Sequence, residues 1–97
     1  MSRPSPERYE NAKHVTVRYW AAARAAAGLS EEQVPAGTLA EVLDEVRRRH
    51  ADGDRFAEVV AMCSVLVGDT PVNTREPASV VLEAGATVEL LPPFAGG

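Results

Sequence analysis

The segment from Thr38 to about Ala51 constrains the chain more than any other. Thr38 and Glu41 form a T-x-x-E capping box, in which each side chain satisfies a backbone N–H left unpartnered at the helix start. Leu39, Val42, Leu43 and Val46 recur at i, i+3, i+4 and i+7, which draws one apolar stripe along one face of a helix. Arg47, Arg48 and Arg49 occupy the last turns, where positive charge suits the helix dipole, as would a charge on His50. Asp52-Gly53 ends the element. A single stripe needs one opposing layer, and the rest of the chain offers a sheet.

His14 to Trp20 alternates, with Val15, Val17 and Tyr19 on one face and His14, Thr16, Arg18 and Trp20 on the other, so it reads as a strand. Ala21 to Ala27 reads as a short helix closed by a left-handed Gly28. Ser30 to Val34 is a weak strand ended by Pro35, Ala36 and Gly37. Arg55 to Ala61 reads equally as a helical turn or as loop. Cys63 to Val67 is a clear strand, Gly68-Asp69 a hairpin turn and Thr70 to Val72 a short return. Asn73 to Ala78 is loop, and Val80 to Leu82 an apolar patch that plugs one end of the core. Ala84 to Ala86 turns into the last strand, Thr87 to Leu91, which Pro92-Pro93 stops. One stripe and four or five strands predict a two-layer α+β domain, a sheet wrapped around one main helix.

The 97 residues make one domain with one modest core. Met1 to Lys13 is polar and interrupted by Pro4 and Pro6, so residues 1–13 are expected to form a disordered leader, 14–91 the folded domain and 92–97 an extended tail. The net charge of −4 argues against nucleic acid and for a basic partner surface. No stretch approaches the roughly 18 apolar residues of a membrane span, and nothing resembles a secretory signal, so a cytoplasmic protein is expected. The lone Cys63 forbids an internal disulfide and reads as a small core hydrophobe.

Little in the body suggests chemistry. Two histidines on different elements and one cysteine make no closed zinc site without carboxylates. No catalytic triad and no glycine-rich phosphate loop can be argued. Arg24 reads as a solvated charge. Trp20 sits on the polar face, where it either shields an edge of the core or meets a partner.

The tail is different. Pro92 and Pro93 project the chain outward, Phe94 places an apolar group beyond the core, and Ala95, Gly96 and Gly97 taper to no side chain. Such an end can thread a narrow channel and offer its carboxylate to chemistry. Activation by ATP as an acyl adenylate would let a sulfur nucleophile displace AMP, and Gly96-Gly97 does not hinder that attack. The bland reading is a frayed terminus with two glycines.

The end LLPPFAGG, with VRYWAAARAAAG (Val17 to Gly28), TLAEVL (Thr38 to Leu43) and SVLVGD (Ser64 to Asp69), resembles MoaD-type proteins, the small sulfur-carrier subunit of molybdopterin synthase, in the MoaD/ThiS ubiquitin-like β-grasp superfamily. The resemblance covers His14 to Gly97. It implies a β-grasp fold with a mixed sheet and a flexible Gly-Gly tail, and a non-catalytic carrier with no bound cofactor or metal. It implies that a MoeB-type adenylyltransferase uses ATP to adenylate Gly97, that a sulfur donor protein supplies a thiocarboxylate there, and that the MoaE-type large subunit takes in the tail and catalyses sulfur transfer to cyclic pyranopterin monophosphate in molybdenum cofactor biosynthesis. By position Trp20 and Leu91 match partner-facing sheet residues, and Arg24 matches an arginine common after the first strand. Carriers for thiazole (thiamin) or cysteine synthesis, ubiquitin-like modifiers and plain binding modules remain alternatives.

Overall fold

The computed structural model describes residues 13–51 and 54–93. The expected leader up to residue 12, the Asp52-Gly53 helix stop and the tail residues Phe94, Ala95, Gly96 and Gly97 lie outside the described residues. In chain order the elements are β1 (His14–Tyr19), α1 (Ala21–Ala27), β2 (Glu31–Pro35), α2 (Leu39–Arg49), α3 (Asp54–Met62), β3 (Ser64–Val67), β4 (Thr70–Pro71), a 3-10 turn (Pro77–Ser79) and β5 (Thr87–Leu91). The five strands form one mixed sheet in the order β2-β1-β5-β3-β4. The central strand β5 runs parallel to its neighbour β1, with Val17 beside Val88 and Tyr19 beside Leu90. The other neighbours are antiparallel. This is the ubiquitin-like β-grasp arrangement.

Alternation divides the sheet cleanly. Val15, Val17 and Tyr19 of β1, Val34 of β2 and Val88 and Leu90 of β5 are buried, and they meet Leu39, Val42, Leu43 and Val46 of α2 in one core. Each such side chain contributes about 1.5–3 kcal/mol through burial. The helix starts as its sequence dictates. The Glu41 N–H donates to Thr38 Oγ1 at 3.1 Å, and the Thr38 N–H donates to Glu41 Oε1 at 3.0 Å. The short α1 ends at Gly28 with φ 83°, whose N–H donates to the Arg24 carbonyl.

Two segments are more ordered than their sequence suggests. Residues 55–61 belong to a nine-residue helix, α3, because Phe56, Val59 and Val60 fall on one face and are buried. The patch Val80 to Leu82 pairs across the start of α2: the Leu39 N–H donates to the Val80 carbonyl and the Leu82 N–H to the Gly37 carbonyl. Val80 and Leu82 therefore turn inward, while Val81 points out at 73% exposure.

Candidate functional site

The end of β5 is where the folded body hands over to the C-terminal segment. Leu91 pairs with Ser64 of β3 and is half-buried. Pro92 is buried and Pro93 exposed, so the body's packing continues one residue past the strand. The tail residues Phe94, Ala95, Gly96 and Gly97 follow from that point.

Trp20 stands beside this root. Its N–H donates to the Leu90 carbonyl at 3.2 Å, which extends the β1–β5 ladder by one step and puts Trp20 next to Leu91. Both lie on the sheet face opposite the helices, by alternation with the buried Tyr19 and Leu90. At 38% exposure the indole is one of three large apolar side chains that are exposed among the described residues. Its ring N–H donates to Glu89 Oε1 at 2.9 Å, and the Arg18 guanidinium lies 5.3 Å from its centroid. Arg24 is exposed but is carried by α1, not by the sheet.

Cys63 precedes Ser64 and so lies near the same root, but its thiol faces inward. It donates to the Val59 carbonyl at 3.2 Å, and burial pushes its pKa up to about 11. A thiol so placed is a poor nucleophile at neutral pH.

The arginine run of α2 is occupied within the chain. Arg47 pairs with Asp44, Arg48 with Glu45, and Arg49 with Glu45 and Glu32. Each of the three guanidiniums therefore faces a carboxylate of its own chain, which accounts for the run without an outside anion. Among the described residues no three His, Cys, Asp or Glu side chains gather as a metal site, and no helix is long and apolar enough to cross a membrane.

One cluster has no counterpart in the sequence reading. Glu32 lies on the core side of β2, facing Val17 in register. Its carboxylate accepts from the Tyr19 hydroxyl, lies 2.7 Å from His50 Nε2 and is 3.3 Å from Arg49 Nη1. Phe56 of α3 closes the group, with ring centroids 4.5 Å from His50 and 5.7 Å from Tyr19. The available signal was parity: if Val34 faces inward, so does Glu32, and an inward acid needs partners.

Comparison with known proteins adds a family to this geometry. The family model described as "ThiS family" matches residues 17–97. A search of curated proteins finds no match to the chain. Among solved structures, small archaeal modifier protein 1 of Methanosarcina acetivorans superposes with a TM-score of 0.72 at 19% identity, over 88% of this chain and 97% of that one. A putative molybdopterin converting factor subunit 1 of Pyrococcus furiosus gives 0.68 at 24% identity, over 84% and 98%. A chain of the BexX/CysO complex of Amycolatopsis orientalis gives 0.63 at 31% identity, over 86% and 99%.

Proposed function

The chain belongs to the ThiS family, and on that premise we propose that it carries sulfur on Gly97 for molybdenum cofactor synthesis. The carrying observation is the root of the tail: Pro92 is buried and Pro93 exposed, and the sequence from there runs through Phe94 to the sterically open Gly96-Gly97. In the first step a carboxylate oxygen of Gly97 attacks the α-phosphorus of ATP on a MoeB-type enzyme and pyrophosphate leaves. A donor-bound persulfide sulfur then attacks the acyl carbon and expels AMP, and a thiol reductant cleaves the resulting acyl disulfide, leaving the thiocarboxylate on Gly97 and a disulfide on the thiol side. The MoaE-type subunit receives the tail and catalyses transfer to cyclic pyranopterin monophosphate, so this chain is a substrate-like subunit with no active site of its own. Phe94, Ala95 and Gly96, led out by Pro92 and Pro93, would thread the partner's channel, while Trp20 and Leu91, with Arg24, would meet the partner's surface.

A second reading keeps the acyl chemistry and changes the acceptor. It is favoured by the 31% identity to a chain of the BexX/CysO complex, higher than that to the molybdopterin converting factor subunit. Reconstitution with the host's MoaE-type subunit and cyclic pyranopterin monophosphate separates the two. Formation of the dithiolene product supports the first reading. A thiocarboxylated chain, seen by intact mass as one oxygen exchanged for sulfur, that yields no dithiolene supports the second. Isopeptide adducts without sulfur would refute both.

A further inference from the structure

A row of charged side chains crosses the open sheet face beside the tail root. Glu31 of β2, Arg18 of β1 and Glu89 of β5 are register partners. Arg18 Nε lies 3.5 Å from Glu31 Oε1, with both side chains about half exposed. A pair so exposed adds little to stability, so its value is in what it orients. Arg18 stands over the Trp20 ring at 5.3 Å, and Glu89 accepts the indole N–H at 2.9 Å. The one polar atom of the indole is therefore tied, and a cation is set against its π-system. The backbone gives a second, independent sign. Ala21, the residue after Trp20, has φ 49°, a left-handed conformation that costs a non-glycine residue about 1–2 kcal/mol and persists where the surroundings impose it. The corner from β1 into α1 is held against that strain, and Trp20 sits at the corner.

We propose that Glu89 and Arg18 are positioning residues that hold Trp20 as a preformed docking platform at the root of the C-terminal segment. Ordering a large side chain on binding costs affinity, and a ring already held avoids that cost. With its N–H satisfied, Trp20 presents mainly ring surface. Two carboxylates flank the single guanidinium of the row, so the surface beside the ring is net negative. The partner this face fits is a protein surface with an apolar patch for the indole and a lysine or arginine reaching Glu89 or Glu31. The identity of that partner as the enzyme that adenylates the tail rests on the carrier reading, whereas the holding of Trp20 does not.

Because Trp20 is the only tryptophan, its fluorescence reports the clamp directly. The variants are Glu89→Ala, Glu89→Gln and Arg18→Gln. The two measurements are acrylamide quenching of the free full-length chain and ATP–pyrophosphate exchange by the host's adenylating enzyme with the carrier varied. Glu89→Ala should raise the quenching constant and raise KM about three- to tenfold at unchanged kcat, as expected for lost preorganisation. Glu89→Gln, which keeps an acceptor oxygen but not the charge, should restore the quenching constant and recover KM only in part, and Arg18→Gln should lie between wild type and Glu89→Ala. Quenching that does not change in Glu89→Ala overturns the clamp. Looser quenching with an unaltered KM overturns its role in docking. A wild-type chain that supports no exchange defeats the carrier reading instead, while quenching still decides the clamp.

Discussion

His50 Nε2 lies 2.7 Å from the Glu32 carboxylate, eighteen residues apart in sequence, so the residue that caps α2 is bonded to edge strand β2. The Tyr19 hydroxyl donates to the same carboxylate, and Phe56 packs on both rings. Two strands and two helices therefore meet at one acid. Burial of Glu32 raises its pKa, but the hydrogen bonds from Tyr19 and His50, joined by Arg49, outweigh it, and the net shift is downward. The Tyr19 hydroxyl moves the opposite way, raised by burial first and then by Glu32, so it stays a donor.

A depressed carboxylate pKa has a definite sign in the pH dependence of stability. The folded state holds the proton less tightly than the unfolded one, so Glu32 stabilises the fold fully above the unfolded value of about 4.3 and loses that contribution as pH falls through the folded value. Glu32→Ala should cost about 1–3 kcal/mol at pH 7, because the Tyr19 hydroxyl loses its acceptor. Urea denaturation of Glu32→Gln and the wild type should show a gap at pH 7 that narrows in acid below about pH 4. A gap constant from pH 7 to pH 3 would show that the charge is irrelevant.

The capping box explains a glycine. A Cβ on Gly37 would lie 2.3 Å from Glu41 Oε1, the oxygen that accepts the Thr38 N–H. The Glu41 carboxylate can swing away, but the capping bond is then lost. Gly37→Ala should therefore destabilise the wild type by a few tenths to about 1 kcal/mol, since a lost cap outweighs the entropy that alanine saves in the unfolded chain. In a Glu41→Ala background the clash is gone, and the same substitution should stabilise. Thermal denaturation of the wild type and the three variants tests this change of sign, and additive effects would remove the clash as the cause.

Much of this architecture is legible in the amino-acid order, and the exceptions share a cause. The capping box, the Val15-Val17-Tyr19 alternation and the Gly28 cap are local patterns, and the structure keeps each one. The helix α3 is not legible because Val59 and Val60 favour strands and only burial with Phe56 settles the matter. The Tyr19-Glu32-His50 group is assembled from three distant segments. At the tail root, parity places Trp20 and Leu91 on one face, whereas the Trp20–Glu89 bond spans 69 residues and depends on β1 and β5 being neighbours.

Cys63 should behave as a core residue. With its thiol bonded to the Val59 carbonyl and its pKa pushed up to about 11, it should be unreactive toward a disulfide reagent at pH 8 in the folded chain and react readily in urea. Cys63→Ser can keep a donor to Val59 but buries a hydroxyl, so a stability loss of about 1–2 kcal/mol is expected, with thiocarboxylation at Gly97 retained. Fast labelling of the native thiol, or a folded Cys63→Ser chain that cannot be thiocarboxylated, would make Cys63 a participant.

The boundary between body and tail can be placed by truncation. Pro92 is buried and Pro93 exposed. A chain ending at Pro93 should melt within a degree or so of the full chain, because it keeps every buried residue described. A chain ending at Leu91 lacks the buried Pro92 ring and should lose about 1–2 kcal/mol, several degrees for a domain of this size. Neither should be adenylated, and removal of Gly97 alone should abolish activation at unchanged melting temperature, since the body gains nothing from that residue's missing side chain. Gly96→Val should preserve the melting temperature and block transfer, as a branched side chain beside the acyl carbon hinders attack. Phe94→Ala should weaken partner affinity by about 1–3 kcal/mol if the ring fills an apolar pocket. Activation is thus lost with Gly97, whereas stability is lost only when the truncation reaches Pro92: if loss of Phe94 to Gly97 lowers the melting temperature as much as the further loss of Pro92 and Pro93 does, the terminal segment packs on its own body, and a freely offered acyl end is the wrong description.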